Sequence, residues 1–229
     1  ALPIFVLDGT RQHHFYQRLF GTDGRQTAAT EHVVHIQNHD QVGNRLHGDR
    51  LITSNGLDKA LLAITAIMAS PYVPMLFMGE EFAETNPFLF FTDFHGDLAK
   101  AVREGRAKEF AGHAGHDESV PDPNDPLTFI RSKLDWQKAA SEEGKSWLRF
   151  TRNLILLRHR YIVPLLHPGG AVEGHVLKTA PGMVTVSWRF PSGTLSLALN
   201  IGTKPVDLPA LAGETRFAWP EVNDVLPPN

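Results

Sequence analysis

Two short apolar-rich runs flank a helical pattern, and this arrangement constrains the fold more than any other feature of the chain. The first run is 33–36 (VVHI) and the second is 74–78 (PMLFM). Neither shows the regular alternation that marks a strand with one wet face. Apolar residues between them recur at helical spacing, which predicts a βαβ unit with parallel strands and an α/β fold. The helical positions are Leu57, Leu61, Ile64 and Met68, with Leu62 and Ile67 widening the apolar face.

The boundaries of this helix are predicted from its flanking residues. Ser54 or Asn55 is a suitable N-cap, and Asp58 then lies in the first turn, where negative charge is favourable. We expect Ser70-Pro71 to end the helix, because a residue that precedes proline disfavours helical geometry.

The loop between the first strand and the helix, residues 37–54, is long and polar. Asn38, His39 and Asp40 follow almost directly on the predicted strand. In barrels and doubly wound sheets, that end of a strand holds ligands and catalytic groups. An amide, an imidazole and a carboxylate suit the binding of a polyhydroxylated substrate and the stabilisation of charge. The alternative is a polar strand end in which Asn38 and His39 are simple caps.

Asp40 is the leading candidate for chemistry, because a carboxylate at the end of a buried strand must be paired, hydrogen-bonded or used. The alternative is a loop aspartate that binds neighbouring backbone amides. Glu80 and Glu81 follow the second strand, and Glu81 could reach the same edge as Asp40. For at least one of these glutamates, an ion pair with Arg45 or Arg50 is favoured over catalysis.

Metal binding is disfavoured by the residues available. The chain has no cysteine, and His35 and His39 are four residues apart, a spacing that suits a helix face rather than a strand. We therefore expect no metal and no other cofactor. The two sets considered are His35, His39 and Asp40, and His113, His116 and Asp117.

Aromatic side chains offer a second way to bind sugar, by stacking. Phenylalanine is more often part of a core, and the sequence does not separate the two roles. The candidates are Trp136, Phe88, Phe90, Phe91 and Phe94.

The rest of the chain predicts two domains, 1–165 and 166–229. The first contains a polar excursion at about 92–145. The second has period-two alternation from 184 to 201 and is expected to be a small antiparallel β-sandwich domain. Strands are expected at 4–7, ended by Asp8-Gly9, and at 172–178 and 205–208. A helix capped by Asp97 is expected to run to Phe110. Another helix is expected at 146–159, with a buried side formed by Trp147, Phe150 or Thr151, Leu154, Ile155 and Leu157.

Charge and hydropathy exclude several partners. The net charge is −3, which gives no reason to expect nucleic acid or an anionic membrane as a partner. The apolar runs are too short to span a bilayer, and the first residues lack the basic region of a secretory signal. We expect a cytoplasmic protein whose sequence begins inside a longer chain.

Residues 37–45 (QNHDQVGNR) resemble the fourth signature region of glycoside hydrolase family 13, the α-amylase superfamily. Within that superfamily, the later blocks resemble the malto-oligosyltrehalose trehalohydrolases. The resemblance covers about 33–160, and the β domain lies where the family has its C-terminal domain. The supporting blocks are 74–82, 85–93, 103–106 with 109–110, 120–123 and 132–136.

The resemblance implies the C-terminal part of a (β/α)8 barrel followed by the β domain, in a retaining glycosidase. Asp40 matches the carboxylate that stabilises the oxocarbenium-like transition state, and His39 matches a histidine that binds sugar hydroxyls. Asn38, Gln41 and Arg45 are expected substrate contacts. The expected substrate is malto-oligosyltrehalose or a related α-glucan, cleaved at the α-1,4 bond beside the terminal trehalose.

The chain departs from the family pattern in one respect. The Gly-x-Arg-x-Asp string that carries the nucleophile is absent, as is the block with the acid/base glutamate. A barrel of about 250 residues plus a β domain also exceeds the 229 residues present. We therefore expect a portion that needs the N-terminal part of the enzyme and is inactive alone. The alternatives are a portion of a glucan branching enzyme, a noncatalytic glucan-binding module and a metal-dependent hydrolase.

Overall fold

The computed structural model describes residues 8–13, 17–21, 27–111, 119–166, 173–180, 182–204, 206 and 211–219. Among these residues, no helix combines the length and the apolarity that crossing a membrane requires. The strands are β1 (Asp8–His13), β2 (Arg18–Gly21), β3 (Val33–Val34), β4 (Val73–Pro74), β5 (Glu173–Ala180), β6 (Met183–Phe190) and β7 (Gly193–Asn200). The α-helices are α1 (His39–Gly43), α2 (Leu51–Asn55), α3 (Leu57–Met68), α4 (Gly96–Phe110), α5 (Pro126–Arg131), α6 (Trp136–Ala140) and α7 (Glu142–Leu157).

Strands β3 and β4 form the predicted parallel pair. Val33 lies opposite Val73, and the amide of Met75 donates to the carbonyl of Val34 at 2.8 Å. Each strand has only two paired residues, shorter than the apolar runs predicted. Burial on both faces is not found in the described part of the chain, since Val33 is 55% exposed and Val73 is 37% exposed. The described residues supply each strand with one neighbour only, which leaves its other edge uncovered.

Helix α3 connects the two strands, as predicted, but it begins later than expected. The proposed caps Ser54 and Asn55 belong instead to the short helix α2, and Gly56 separates the two helices. Gly56 has φ +84°, a conformation that glycine adopts without a Cβ penalty. Of the predicted apolar face, Ile64, Ile67 and Met68 pack into the core with the strand pair and α7, whereas Leu57 is 44% exposed. This core cluster is Val34, Ala60, Ile64, Ile67, Met68, Ala83, Trp147 and Leu154.

Helix α7 covers the other side of this core. It begins at Glu142 rather than at 146, because the Ser141 hydroxyl accepts the amide of Gly144 at 3.1 Å and caps the helix. Trp147, Thr151, Leu154 and Leu157 are buried as predicted, whereas Ile155 is 40% exposed and was wrongly placed on the buried side.

A π-helical turn, Arg158–Ile162, continues α7 and ties it to α3. The buried guanidinium of Arg158 donates to the carbonyls of Met68, Ser70 and Tyr72, at 3.1 Å for Met68. These carbonyls lie at the end of α3 and in the turn that leads to β4.

Helix α4 lies in the polar excursion and runs to Phe110 as predicted. Its N-cap is His95, whose side chain makes no capping bond, and Asp97 lies in the first turn. A negative charge in the first turn stabilises a helix even without a capping bond, which explains why Asp97 indicates the start of this helix in the sequence. His113, His116 and Asp117 fall outside the described residues.

Strands β5, β6 and β7 form the predicted antiparallel sheet, with Phe190 opposite Gly193 across a two-residue turn. Trp188 and Phe190 are buried from one face, and Met183 and Thr185 from the other. Both faces of the sheet are therefore partly covered. The strand expected at 205–208 falls mostly outside the described residues.

The N-terminal hairpin pairs β1 with β2, and Asp8 lies opposite Gly21. The strand expected at 4–7 lies outside the described residues. Asp8 and Gly9, which we expected to end that strand, instead lie within β1. Backbone hydrogen bonds to β2 satisfy the polar backbone groups of this segment, so no local turn is needed to do so.

Candidate functional site

Helix α1 brings the candidate residues to the surface just beyond β3. The side chain of Asn38 caps the helix by accepting the amide of Asp40 at 2.8 Å, and the side chain of Gln41 accepts the amide of Asn38 at 2.9 Å. This reciprocal capping box fixes the first turn of a helix too short to be stable alone. The capping role considered for Asn38 is therefore observed.

His39 and Asp40 project from the first turn of α1. Their side chains are 69% and 65% exposed, and His39 Nε2 lies 3.3 Å from Asp40 Oδ1. Asp40 does not bind backbone amides through its carboxylate in the described structure; its own amide is bound by Asn38. An imidazole and a carboxylate thus lie side by side on an open surface, where a sugar can reach both.

Gln37 joins the ends of the two predicted strands. It is 4% exposed, and its Nε2 donates to Glu80 Oε1 at 2.7 Å, while its Oε1 accepts the amide of Leu51 at 2.8 Å. The two strand ends therefore meet at Gln37 and Glu80, whereas the sequence prediction concerned Glu81 and Asp40. The carboxylates of Asp40 and Glu80 have different surroundings, one exposed and one buried.

Burial sets the ionisation of Glu80. Loss of solvent raises the pKa of its carboxyl group to about 7, despite hydrogen bonds from the Phe77 amide and Gln37 and the charge of Arg50, which all lower it. The Phe77 amide donates to Oε2 at 2.6 Å. The carbonyl of Glu80 accepts Trp147 Nε1 at 2.6 Å. Glu80 is only 6% exposed, and its two carboxylate oxygens and its carbonyl all accept hydrogen bonds.

Arg50 provides the positive charge of this cluster without forming the expected ion pair. Among the described residues, no salt bridge joins Glu80 or Glu81 to Arg45 or Arg50, so that prediction is wrong. Arg50 is 1% exposed and donates to the carbonyls of Asn86 at 2.6 Å and Met78 at 2.7 Å. Burial lowers the pKa of Arg50, and the charges of Glu84, Glu80 and Glu81 raise it.

The remaining members of the expected pairs have local roles. Glu81 accepts the amide of Gly79 at 2.9 Å. Arg45 donates to the carbonyl of Asp49 at 2.8 Å and to the hydroxyl of Ser54 at 3.1 Å. Backbone groups in the nearby turns satisfy these side chains, which removes the need for an ion pair.

Glu84 was not predicted and is the most deeply buried carboxylate here, at 1% exposed. It accepts the amides of Thr85 and Asn86 at 2.7 Å each and that of Asp135 at 2.6 Å. It therefore fastens the residues that follow β4 to the start of α6. Gly79, at φ +90°, allows this approach, because a Cβ there would lie 2.5 Å from Glu84 Cβ.

The aromatic candidates divide into packed and exposed rings. Phe88 and Phe91 contact each other edge to face with centroids 5.5 Å apart. Phe90 and Phe94 are 40% and 42% exposed, and Trp136 is 68% exposed. In the described residues, no three histidine or carboxylate side chains form a group that could hold a metal ion.

Known proteins resemble this chain along most of its length. The malto-oligosyltrehalose trehalohydrolase of Rhizobium sp. (strain M-11) is 40% identical over 177 residues, which are 77% of the chain and 29% of that protein. The protein of the same name from Brevibacterium helvolum is 38% identical over 193 residues, 83% of the chain and 32% of that protein. The chain is similar to malto-oligosyltrehalose trehalohydrolases over most of its length. It spans less than a third of the length of these curated relatives.

A solved structure is similar to nearly the whole chain. It is the crystal structure of a Salmonella typhimurium protein provisionally named an α-amylase, with 56% identity and a TM-score of 0.87. The match covers 94% of this chain and 36% of that protein. No protein-family model matches the chain. The resemblance predicted from residues 37–45 and the later blocks is confirmed, and the fold is similar to that of the Salmonella typhimurium protein.

The raised pKa of Glu80 predicts how stability depends on pH. In the folded state its pKa is about 7, against an ordinary value of 4.5, so the folded state holds an extra proton between these values. Its contribution is therefore full below pH 4.5 and is lost as the pH rises through 7. The loss should reach at most about 3 kcal/mol.

Urea unfolding at about pH 5 and about pH 8, followed by tryptophan fluorescence, measures this difference. Glu80→Gln removes the titrating group, so the free energy of unfolding of this variant should fall much less between the two pH values. An equal fall in wild type and variant would assign the pH dependence to other groups.

Proposed function

We propose that this chain is the C-terminal part of the (β/α)8 barrel, residues 1–165, and the β domain, residues 166–229, of a retaining glycoside hydrolase. The proposed enzyme cleaves the α-1,4 bond beside the terminal trehalose of malto-oligosyltrehalose and releases trehalose. The observation that carries the proposal is the exposed His39–Asp40 pair on α1, in a chain whose relatives bear the trehalohydrolase name.

Asp40 is proposed as the transition-state stabiliser. Cleavage of a glycosidic bond develops positive charge on the sugar ring, and a fixed carboxylate nearby stabilises that charge more than it stabilises the neutral substrate. The capping box holds the backbone of Asp40, so its carboxylate needs little reorganisation. His39 is proposed to bind sugar hydroxyls at the cleaved bond, 3.3 Å from the same carboxylate.

Asn38, Gln41 and Arg45 are proposed as further substrate contacts. The side-chain oxygens of Asn38 and Gln41 accept backbone amides of α1, so their amide NH₂ groups are the atoms proposed for sugar. Arg45 already donates through Nη1 to Asp49 and Ser54, which leaves its other nitrogens for a hydroxyl group. No metal or other cofactor enters the proposed reaction.

The nucleophile and the acid/base residue are proposed to come from the remainder of the longer enzyme. A retaining mechanism needs two carboxyl groups about 5 to 5.5 Å apart, both reaching the sugar. Glu80 is buried against Gln37 and Phe77, and Glu81 accepts the Gly79 amide. Neither of these glutamates is therefore proposed as a member of that pair.

Product analysis tests this function. The full-length enzyme, incubated with maltotriosyltrehalose, should release free trehalose and maltotriose, and the 229-residue chain alone should release neither. New α-1,6 branches without free trehalose would make the enzyme a branching transferase. Turnover by the isolated chain would refute the assignment of the missing carboxyl groups to the remainder of the enzyme. Sugar binding without turnover by the full-length protein would support the glucan-binding module instead.

A further inference from the structure

Arg106 of helix α4 binds the far end of the helix that carries His39 and Asp40. It is 7% exposed. Its Nη2 donates to the carbonyl of Gly43 at 2.7 Å and to that of Arg45 at 3.4 Å. Its Nη1 donates to Asn44 Oδ1 at 3.4 Å. Gly43 is the last residue of α1, so one guanidinium group spans its C-terminal end.

The guanidinium of Arg106 is itself held from several sides. Glu109, one turn further along α4, pairs with it at 2.8 Å. Its central carbon lies 5.0 Å from the ring centroid of Phe90 and 4.5 Å from that of Phe110, within range of a cation–π interaction. Charge, ring contacts and burial therefore fix the donor that contacts α1.

Helix α1 depends on such contacts because it has only five residues and forms few internal hydrogen bonds. Its N-terminal side is fixed by the Asn38–Gln41 capping box and by buried Gln37. Its C-terminal side is fixed by Arg106. The side chains of His39 and Asp40 are mostly exposed, so packing does not set their positions, and the backbone of α1 must do so.

We propose that Arg106 is a positioning residue that holds α1 so that His39 and Asp40 face the sugar. This inference rests on the proposed function, because it concerns the same site. Small displacements of catalytic groups reduce rates strongly, by about 10²-fold for about 1 Å. Lysine cannot replace arginine here, because three acceptors from Gly43, Asn44 and Arg45 require a planar donor with several N–H groups.

The test compares Arg106→Lys with Arg158→Lys in the full-length enzyme. Arg158 is the matched control: it is 8% exposed and also donates to backbone carbonyls, but those belong to Met68, Ser70 and Tyr72. Both variants should lower Tm. Only Arg106→Lys should lower kcat for trehalose release, by at least about tenfold, with KM within about twofold.

Hydrogen exchange of the amides in 39–45 gives a second readout that does not depend on catalysis. Arg106→Lys should accelerate exchange there by at least about tenfold, and Arg158→Lys should not. Phe110→Leu, a milder change that leaves the guanidinium in place, should shift kcat and exchange in the same direction, and it provides the test if Arg106→Lys does not fold.

The outcomes separate the two proposals. Equal kcat for the Arg106→Lys and Arg158→Lys enzymes, or exchange in 39–45 unchanged from wild type, would overturn the positioning role. Faster exchange with unchanged kcat would also overturn it, since α1 would then be loosened without consequence for the reaction. If wild-type enzyme releases no trehalose, the proposed function fails, and the exchange data alone decide whether Arg106 holds α1.

Discussion

Asp40→Asn in the full-length enzyme should lower kcat by about 10²- to 10³-fold and leave KM within about twofold of the wild-type value. The substitution keeps the size of the side chain and the backbone amide that Asn38 caps. It replaces the carboxylate by a neutral amide and so removes the negative charge that we propose lies beside the sugar ring. Because that charge acts mainly on the transition state, substrate binding should change little.

Asp58→Asn is the matched control for this experiment. Asp58 is also an exposed aspartate in the first turn of a helix, α3. Its replacement should leave kcat unchanged and weaken the helix by less than about 1 kcal/mol. If Asp40→Asn turns over substrate as fast as Asp58→Asn, Asp40 takes no part in the reaction.

Arg50→Met should destabilise the protein by about 3 to 6 kcal/mol, because two hydrogen bonds from a charged donor are lost at about 1.5 to 3 kcal/mol each. Arg50 is buried beside Glu80 and Glu84, whose charges would lose their nearby cation. The carbonyls of Met78 and Asn86 would also lose their donors. Methionine retains much of the apolar stem, so the effect reports the guanidinium rather than a cavity.

Urea unfolding measures this loss, with Arg103→Met as the control. Arg103 forms an ion pair with Asp122 at 3.2 Å but is half exposed, so its removal should cost at most about 1 kcal/mol. If the free energy of unfolding of Arg50→Met lies within about 1 kcal/mol of the wild-type value, the guanidinium of Arg50 contributes little to stability.

The two parallel strands and the helix that connects them were predictable, because burial requires apolar residues at regular positions in the sequence. The same pattern could not give strand lengths, since these depend on which neighbours cover Val33 and Val73. The break at Gly56 was missed because Ser54 and Asn55 are good caps in isolation. The early start of α7 had a local signal, a capping serine at 141 followed by two glutamates, and could have been found.

The position of Asn38, His39 and Asp40 just beyond a strand was also predictable, since polar groups there follow a short apolar run. The contacts around them were not. Gln37 reaches Glu80, 43 residues away, and Arg106 reaches Gly43, 63 residues away. Contacts between residues so far apart produce no recognisable pattern in the sequence, and only the fold brings these residues together. A buried arginine becomes recognisable as an anchor once its carbonyl partners are known.

A crystal structure of the full-length Asp40→Asn enzyme with bound malto-oligosyltrehalose tests the central claim most directly. We expect a ring nitrogen of His39 within roughly 3 Å of a sugar hydroxyl, and the side chain at position 40 beside the sugar whose bond to the trehalose unit is cleaved. Sugar stacked on the exposed rings of Trp136 or Phe94, with α1 contacting solvent alone, would contradict the assignment of the active site to this helix.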